Sequence, residues 1–295
     1  MKIYHNILTL CLIAALTLGI AACEAERPTY EGPDYIMFSA ESHDLGILDS
    51  EEWFEIPISA TRTANDDRLI GVEIVASSSN AIEGLHYILE SSTVKIPAGK
   101  LTTVARIKGI PQNISVADEL SITLRLVIDE EHVWQTYGTD TVIHLHKCCP
   151  LDMDLFTGYA KITSTWIMQY MNAESRLVRT VRDDKEENVI VVKDMFYDGY
   201  DIRLRLLNND RLMPFVEMEQ QTVGSTGEAF GTIYGNGKLE MVTASGYTSY
   251  YSPCEMFVMQ YVTLFVEEVG TVGTYVNIFE WISDDEAERI MREGF

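Results

Sequence analysis

The chain has 295 residues, 45 acids against 22 lysines and arginines, and a formal net charge of −23. A field of that sign repels nucleic acid and anionic lipid headgroups, and favours solubility, cationic partners or bound divalent ions. With 46% apolar residues spread along its length, the chain can bury two ordinary cores, so two domains are expected.

Lys2, an apolar stretch from Ile7 to Ala22 and then Cys23 have the layout of an export signal. The strongly apolar part, Ile7 to Ile20, is shorter than the roughly 20 residues of a spanning helix and runs directly into Ala21-Ala22-Cys23. Residues 1–22 therefore read as a cleaved leader. The small pair before a cysteine resembles a lipobox, although Ile20 stands where the box usually has Leu. The resemblance implies that the Cys23 thiol is diacylated and that Cys23 becomes the first mature residue. An ordinary secretory signal with a coincident cysteine is the competing reading. The acidic start Cys23-Glu24-Ala25-Glu26 resembles the export tags of Bacteroidales surface lipoproteins, which implies a lipid anchor in the outer membrane, displayed at the cell surface; facing the periplasm is the alternative.

Residues 23–34 carry Pro28, Pro33, Gly32 and several acids without apolar periodicity, the composition of a tether. From residue 35 to 147, runs rich in Val, Ile, Thr and aromatics recur between turn signals: 35–40, 54–60, 69–76, 93–97, 102–108, 120–128 and 139–146. That count predicts a β-sandwich. Leu120, Ile122, Leu124 and Leu126 alternate with Ser121, Thr123 and Arg125, as in a strand with one buried face.

A second β series fills 151–295, with strands expected over 158–170, 176–181, 189–196, 201–207, 212–219, 229–234, 238–243, 257–266 and 271–281. Asp198-Gly199 and Asn236-Gly237 accept the positive φ of tight hairpin turns, so a meander is expected, closed as a barrel or packed as a sandwich. Ser283 with Glu286 forms a capping-box pattern, and Ala287, Ile290 and Met291 mark a short amphipathic C-terminal helix lying across a sheet or barrel end. The fold class is all-β.

Within the first domain, Ala81-Ile82-Glu83-Gly84-Leu85-His86-Tyr87 and then Val94-Lys95-Ile96-Pro97-Ala98-Gly99-Lys100 resemble the Calx-beta pattern of a Gly-x-Asp-Tyr turn followed by a strand ending in Pro-Ala-Gly. The resemblance implies an immunoglobulin-like sandwich, turns at Gly84 and Gly99 that need positive φ, and a buried Tyr87 ring. In calcium-binding members the aspartate of that turn belongs to an acidic ion site. Here His86 stands in its place. The remaining chain, with the lipobox, resembles Bacteroidales surface lipoproteins of glycan-uptake and adhesion loci, in which a sandwich precedes a β domain of unknown function.

His144, His146 and Cys148 are two apart at a strand end, a spacing that would suit a soft metal if a fourth ligand came from elsewhere. The alternative is an edge-strand end followed by a linker, with no metal. Among the cysteines beyond Cys23, either Cys148 or Cys149 pairs with Cys254 in an oxidising compartment, unless all three stay free and buried. There is no Gly-x-Ser-x-Gly elbow, phosphate-binding loop or His-Glu-x-x-His helix, and the second domain has no histidine. No catalytic residue and no cofactor are expected. Tyr247, Tyr250 and Tyr251 crowd a Gly-Tyr-Thr-Ser-Tyr-Tyr-Ser-Pro segment that could stack on a glycan or a protein ligand, or fold its rings back over the core. Binding is the expected work, with a structural role in a surface assembly as the alternative and a glycan-active enzyme a distant third.

Overall fold

The computed structural model describes residues 30–48 and 51–294; Cys23 and residues 1–22, expected to be a leader, lie outside them. In chain order the first strands are β1 (Ile36–Phe38), β2 (Ser42–Ile47), β3 (Phe54–Ala60), β4 (Arg68–Ile74), β5 (Tyr87–Leu89), β6 (Thr93–Ile96), β7 (Thr102–Gly109), β8 (Leu120–Val127) and β9 (Asp140–Lys147). They form two sheets, ordered β1-β3-β7-β5 and β2-β9-β8-β4-β6. Strand residues alternate between faces, so Ile56, Ile58 and Ile107 from one sheet meet Ile70, Leu124 and Ile143 from the other in a single core. Gly84 and Gly99 have φ of 76° and 71°, and the Tyr87 ring is buried. Two strands escaped the sequence pattern. Strand β2 carries His43, Asp44 and Gly46, and is held by a parallel pairing to β9; β5 has only three residues. The last tether residues are fastened to the sandwich, since Asp34 pairs with Arg68 at 2.9 Å and the Pro33 carbonyl accepts from the Thr61 hydroxyl at 2.8 Å.

The second part comprises β10 (Gly158–Ser164), α1 (Thr165–Tyr170), β11 (Ser175–Arg182), β12 (Val189–Lys193), β13 (Ile202–Leu207), β14 (Phe215–Glu217), β15 (Gln221–Ser225), α2 (Thr226–Phe230), β16 (Lys238–Thr243), β17 (Tyr250–Ser252), β18 (Phe257–Val266), β19 (Gly270–Ile282) and α3 (Asp284–Glu293). All ten strands belong to one sheet. Because β19 pairs with β10 along one edge and with β18 along the other, the sheet closes into a ring β10-β11-β12-β13-β14-β17-β18-β19. The hairpin β15-β16 continues the wall at the far half of β18.

The barrel interior is filled. Phe156, Trp166, Phe196, Leu204, Val262 and Phe279 are among its fully buried side chains. Three buried polar side chains are linked in a chain: Ser164 Oγ donates to Asn277 Oδ1 at 2.6 Å, Asn277 Nδ2 to Gln260 Oε1 at 3.0 Å, and Gln260 Nε2 to the Met218 sulfur at 3.2 Å.

Two expected strands are corrected. The run 158–170 is a strand only to Ser164, whose hydroxyl caps α1 by accepting from the Trp166 amide. The run 229–234 is the end of α2 and a turn. Ser225 and Glu228 cap that helix reciprocally, and Gly231 ends it in the left-handed conformation. In α3, Ala287 and Ile290 are buried but Met291 is exposed. Ser283 caps the Glu286 amide, while the Glu286 carboxylate turns to Arg289.

The two cores meet at a fastened joint. Cys149 is bonded to Cys254, across a sequence separation of 105. Cys148 is free and buried, its thiol donating to the Arg211 carbonyl at 3.3 Å, and the Arg211 guanidinium pairs with Glu52 of the sandwich. A Cβ on Gly46 would come within 2.9 Å of the Cys148 sulfur and Arg211 Cδ, so a residue without a side chain lets these groups approach β2.

Candidate functional site

Among the described residues no group of three or more His, Cys, Asp or Glu is placed to hold a metal, and no helix is long and apolar enough to cross a membrane. His144 and His146 share a face of β9, with ring centroids 6.3 Å apart, and His146 Nε2 lies 2.8 Å from Asp44 Oδ1. Cys148 does not join them. The strand ends at Lys147, and the thiol turns inward to Arg211.

The three tyrosines of the 247–251 segment have separate fates. Tyr251 is 1% exposed, packs edge-on against Phe156 inside the barrel, and its phenol is pushed up to about 12 by burial. A ring so buried has no face for a ligand, and Tyr251 is removed from the candidate set. Adjacent residues of a strand point to opposite sides, so Tyr250, its neighbour in β17, faces outward. Tyr247 is 57% exposed. It is carried by a turn in which its amide donates to the Ala244 carbonyl, with Gly246 at φ 81°. That turn lays the Tyr247 ring over Tyr261 of β18, with centroids 5.1 Å apart and planes 20° from parallel.

From Tyr261 the apolar surface continues along the outward positions of β18. The Tyr261 and Tyr250 hydroxyls each donate to the Met259 sulfur at 3.2 Å, and Tyr250 meets Phe257 edge-on at 6.0 Å. The result is an unbroken outer strip, Tyr247-Tyr261-Met259-Tyr250-Phe257. Its lower end opens into a cleft of about 430 Å³ between barrel and sandwich, where Arg211, His146 and Asp118 supply polar groups. Tyr261 and Phe257 were missed in the sequence: both alternating sets of β18 are largely apolar and the polar Gln260 faces inward, so the pattern did not show which face is outer.

A second cleft of about 310 Å³ lies where β13 passes from β14 to β15. Arg203 and Arg205 there are paired with Asp183 and Glu186. The Asp183 carboxyl, its side chain 7% exposed, is held below the usual carboxylate range by the Lys185 and Glu186 amides and by Arg203. These charges are mutually compensated, and the cleft has no aromatic face.

Residues 136–293, more than half of the chain, match the family model described as a domain of unknown function, DUF4984. The chain belongs to the DUF4984 family. The match begins just before β9 and so takes in the last strand of the sandwich together with the joint and the barrel. No curated protein matches the chain. Among solved structures, a protein of unknown function from Bacteroides ovatus is 9% identical, covering 83% of this chain and 89% of that one, with a TM-score of 0.36. The apo form of the Calx CBD1 domain is 13% identical over 39% of this chain and 98% of its own, with a TM-score of 0.33. An auxiliary nutrient binding protein from Bacteroides thetaiotaomicron is 14% identical, covering 85% and 95%, with a TM-score of 0.32.

Proposed function

We propose that this DUF4984 protein is a non-enzymatic surface binding protein, anchored in the outer membrane through a lipid on Cys23, that holds a glycan against the outer strip of its barrel. The observation carrying this reading is the stacked pair Tyr247–Tyr261 on the outside of a barrel whose inside is full. Tyrosine offers a flat apolar face with a polar tip, suited to the C–H face and hydroxyls of a sugar ring. The strip runs from Tyr247 to the cleft at Arg211 and gives an extended chain several contacts in a row. Assembly through strand exchange is less well supported, because three of the four sandwich edges are short, β1 and β5 with three residues each and β6 with four, and only β2 has six.

Two experiments test the reading. The full chain should be retained on an array of host and microbial glycans. In cells fed a labelled fatty acid, the wild type should take up label and partition with outer membranes, and Cys23→Ser should do neither. Absence of binding to every arrayed glycan overturns the first part, and equal labelling of both proteins overturns the second.

A further inference from the structure

The sandwich carries its own aromatic cleft, at the end remote from the barrel. Strand β9 runs from Asp140 at this cleft to Lys147 at the joint, eight residues and so roughly 25 Å away. The cleft encloses about 370 Å³, near the lower end of small-molecule sites, which run to about 300–1,000 Å³. Trp134 and Tyr137 form one side, and Ser39, Ser59, Glu41 and Asp140 are among the others.

Its aromatic wall is preorganised. The amides of Tyr137 and Gly138 both donate to the Trp134 carbonyl, and Gly138 takes φ 69°, so a tight turn folds Tyr137 back onto Trp134. The rings meet edge-to-face with centroids 4.7 Å apart. On its other side the indole is backed by Tyr35, stacked at 5.3 Å. Tyr137 remains 51% exposed. The cleft is also lined by two hydroxyls, Ser39 Oγ and Ser59 Oγ, 2.9 Å apart. One proton joins them, which leaves the second hydroxyl proton and several lone pairs for a ligand. Asp140 is fixed by Arg125, whose Nε and Nη2 donate to its two oxygens at 2.8 and 2.7 Å. That bond also holds the carboxyl below its usual range, so it stays an acceptor.

We propose that Trp134, Tyr137 and the Ser39–Ser59 pair form a subsite for a single neutral pyranose, independent of the barrel strip. The C–H face of a pyranose matches the exposed ring, and its hydroxyls match the free O–H of the serine pair and the carboxylates of Glu41 and Asp140. Asp140 is compensated by Arg125, but Glu41 at the same cleft, on a chain of net charge −23, disfavours uronic acids, sialic acids and sulfated sugars. The small volume suits a monosaccharide or a chain end, whereas the barrel strip suits an extended chain. A glycan held at both places would be bound by linked sites.

Tryptophan emission tests this directly, because the barrel strip contains no tryptophan. The full mature chain is titrated with methyl glycosides of glucose, galactose, mannose, N-acetylglucosamine and N-acetylgalactosamine. At least one should give a saturable change that persists in Trp53→Phe and vanishes in Trp134→Phe. Affinity should fall about threefold to tenfold in Tyr137→Ala, the worth of one aromatic contact. If Tyr137→Ala unfolds, Ser59→Ala takes its place and should weaken binding severalfold. No saturable response to any of the five sugars overturns the proposal, as does a response unchanged in folded Tyr137→Ala or Ser59→Ala. Either result leaves the barrel strip standing, since that is judged on the glycan array.

Discussion

The side-chain amide of Gln221 bonds both backbone polar groups of Arg203: Oε1 accepts from the Arg203 amide at 2.8 Å and Nε2 donates to its carbonyl at 2.9 Å. The carboxamide thus takes the place of an opposing strand residue where β14 has left the edge of β13. It laces β15 to the part of the β13 edge that β14 leaves open. Gln221→Ala leaves a partly buried amide and carbonyl unpartnered, at about 1 to 3 kcal/mol. Gln221→Glu keeps the acceptor but sets a carboxylate oxygen against the Arg203 carbonyl, acceptor facing acceptor, so at neutral pH it should lose at least as much as Gln221→Ala. Urea unfolding of the three proteins checks this ordering; equal midpoints would show that water replaces the amide at no cost.

Much of this architecture was legible in the sequence because it rests on alternation. Ile202, Leu204 and Leu206 point inward and Arg203 and Arg205 outward, as their spacing required. What was misread had local chemistry that competes with alternation. Trp166, Ile167 and Tyr170 are residues that strands favour, yet the Ser164 hydroxyl begins a helix there. Phe230 and Tyr234 read as strand, while the Ser225–Glu228 box and Gly231 fixed a helix and its end. The strip was half visible. Tyr247 and Tyr250 stood out by density, but Tyr251 was grouped with them although adjacent strand residues cannot share a face. Tyr261 is distant in sequence and joins the site only through the pairing of β17 with β18.

The joint between the two cores should depend on its disulfide. On the chain-entropy model, closing a loop over a separation of 105 residues contributes about 4 to 5 kcal/mol. Cys254→Ser should lower the denaturant midpoint accordingly, and the native oxidised protein should resist alkylation at Cys148, whose thiol is buried and bonded to the Arg211 carbonyl. Rapid labelling of Cys148 in the folded state, or a midpoint unchanged in Cys254→Ser, would contradict this.

Asp183 makes the barrel acid-sensitive in a defined window. The amides of Lys185 and Glu186 and the Arg203 guanidinium hold its carboxyl below the ordinary 3.8 when folded. The stability this brings is fully present above that value and is lost as pH falls through the lower folded value. Asp183→Asn should therefore be less stable at neutral pH and lose less stability than the wild type on acidification below about pH 4. Parallel melting-temperature profiles for the two proteins would exclude the effect.

Calcium should leave the sandwich unaffected. At the turn where the Calx-beta pattern has an aspartate, the His86 Nδ1 accepts from the Ile82 amide at 3.0 Å, so the ring is committed to the turn and offers no carboxylate. Millimolar calcium should move the melting temperature no more than sodium at matched ionic strength. A further rise would mean that an ion binds the folded state.

The central claim is that the outward tyrosine strip binds a glycan. Binding of the full chain to the best ligand on the array should be measured for the wild type, Tyr247→Ala, Tyr261→Ala and the double variant, with melting temperatures alongside. Each loss should cost on the order of 1 kcal/mol, about fivefold in Kd. The double variant should bind below detection while melting close to the wild type, because both rings lie outside the barrel core. Undiminished binding by the folded double variant would contradict the account.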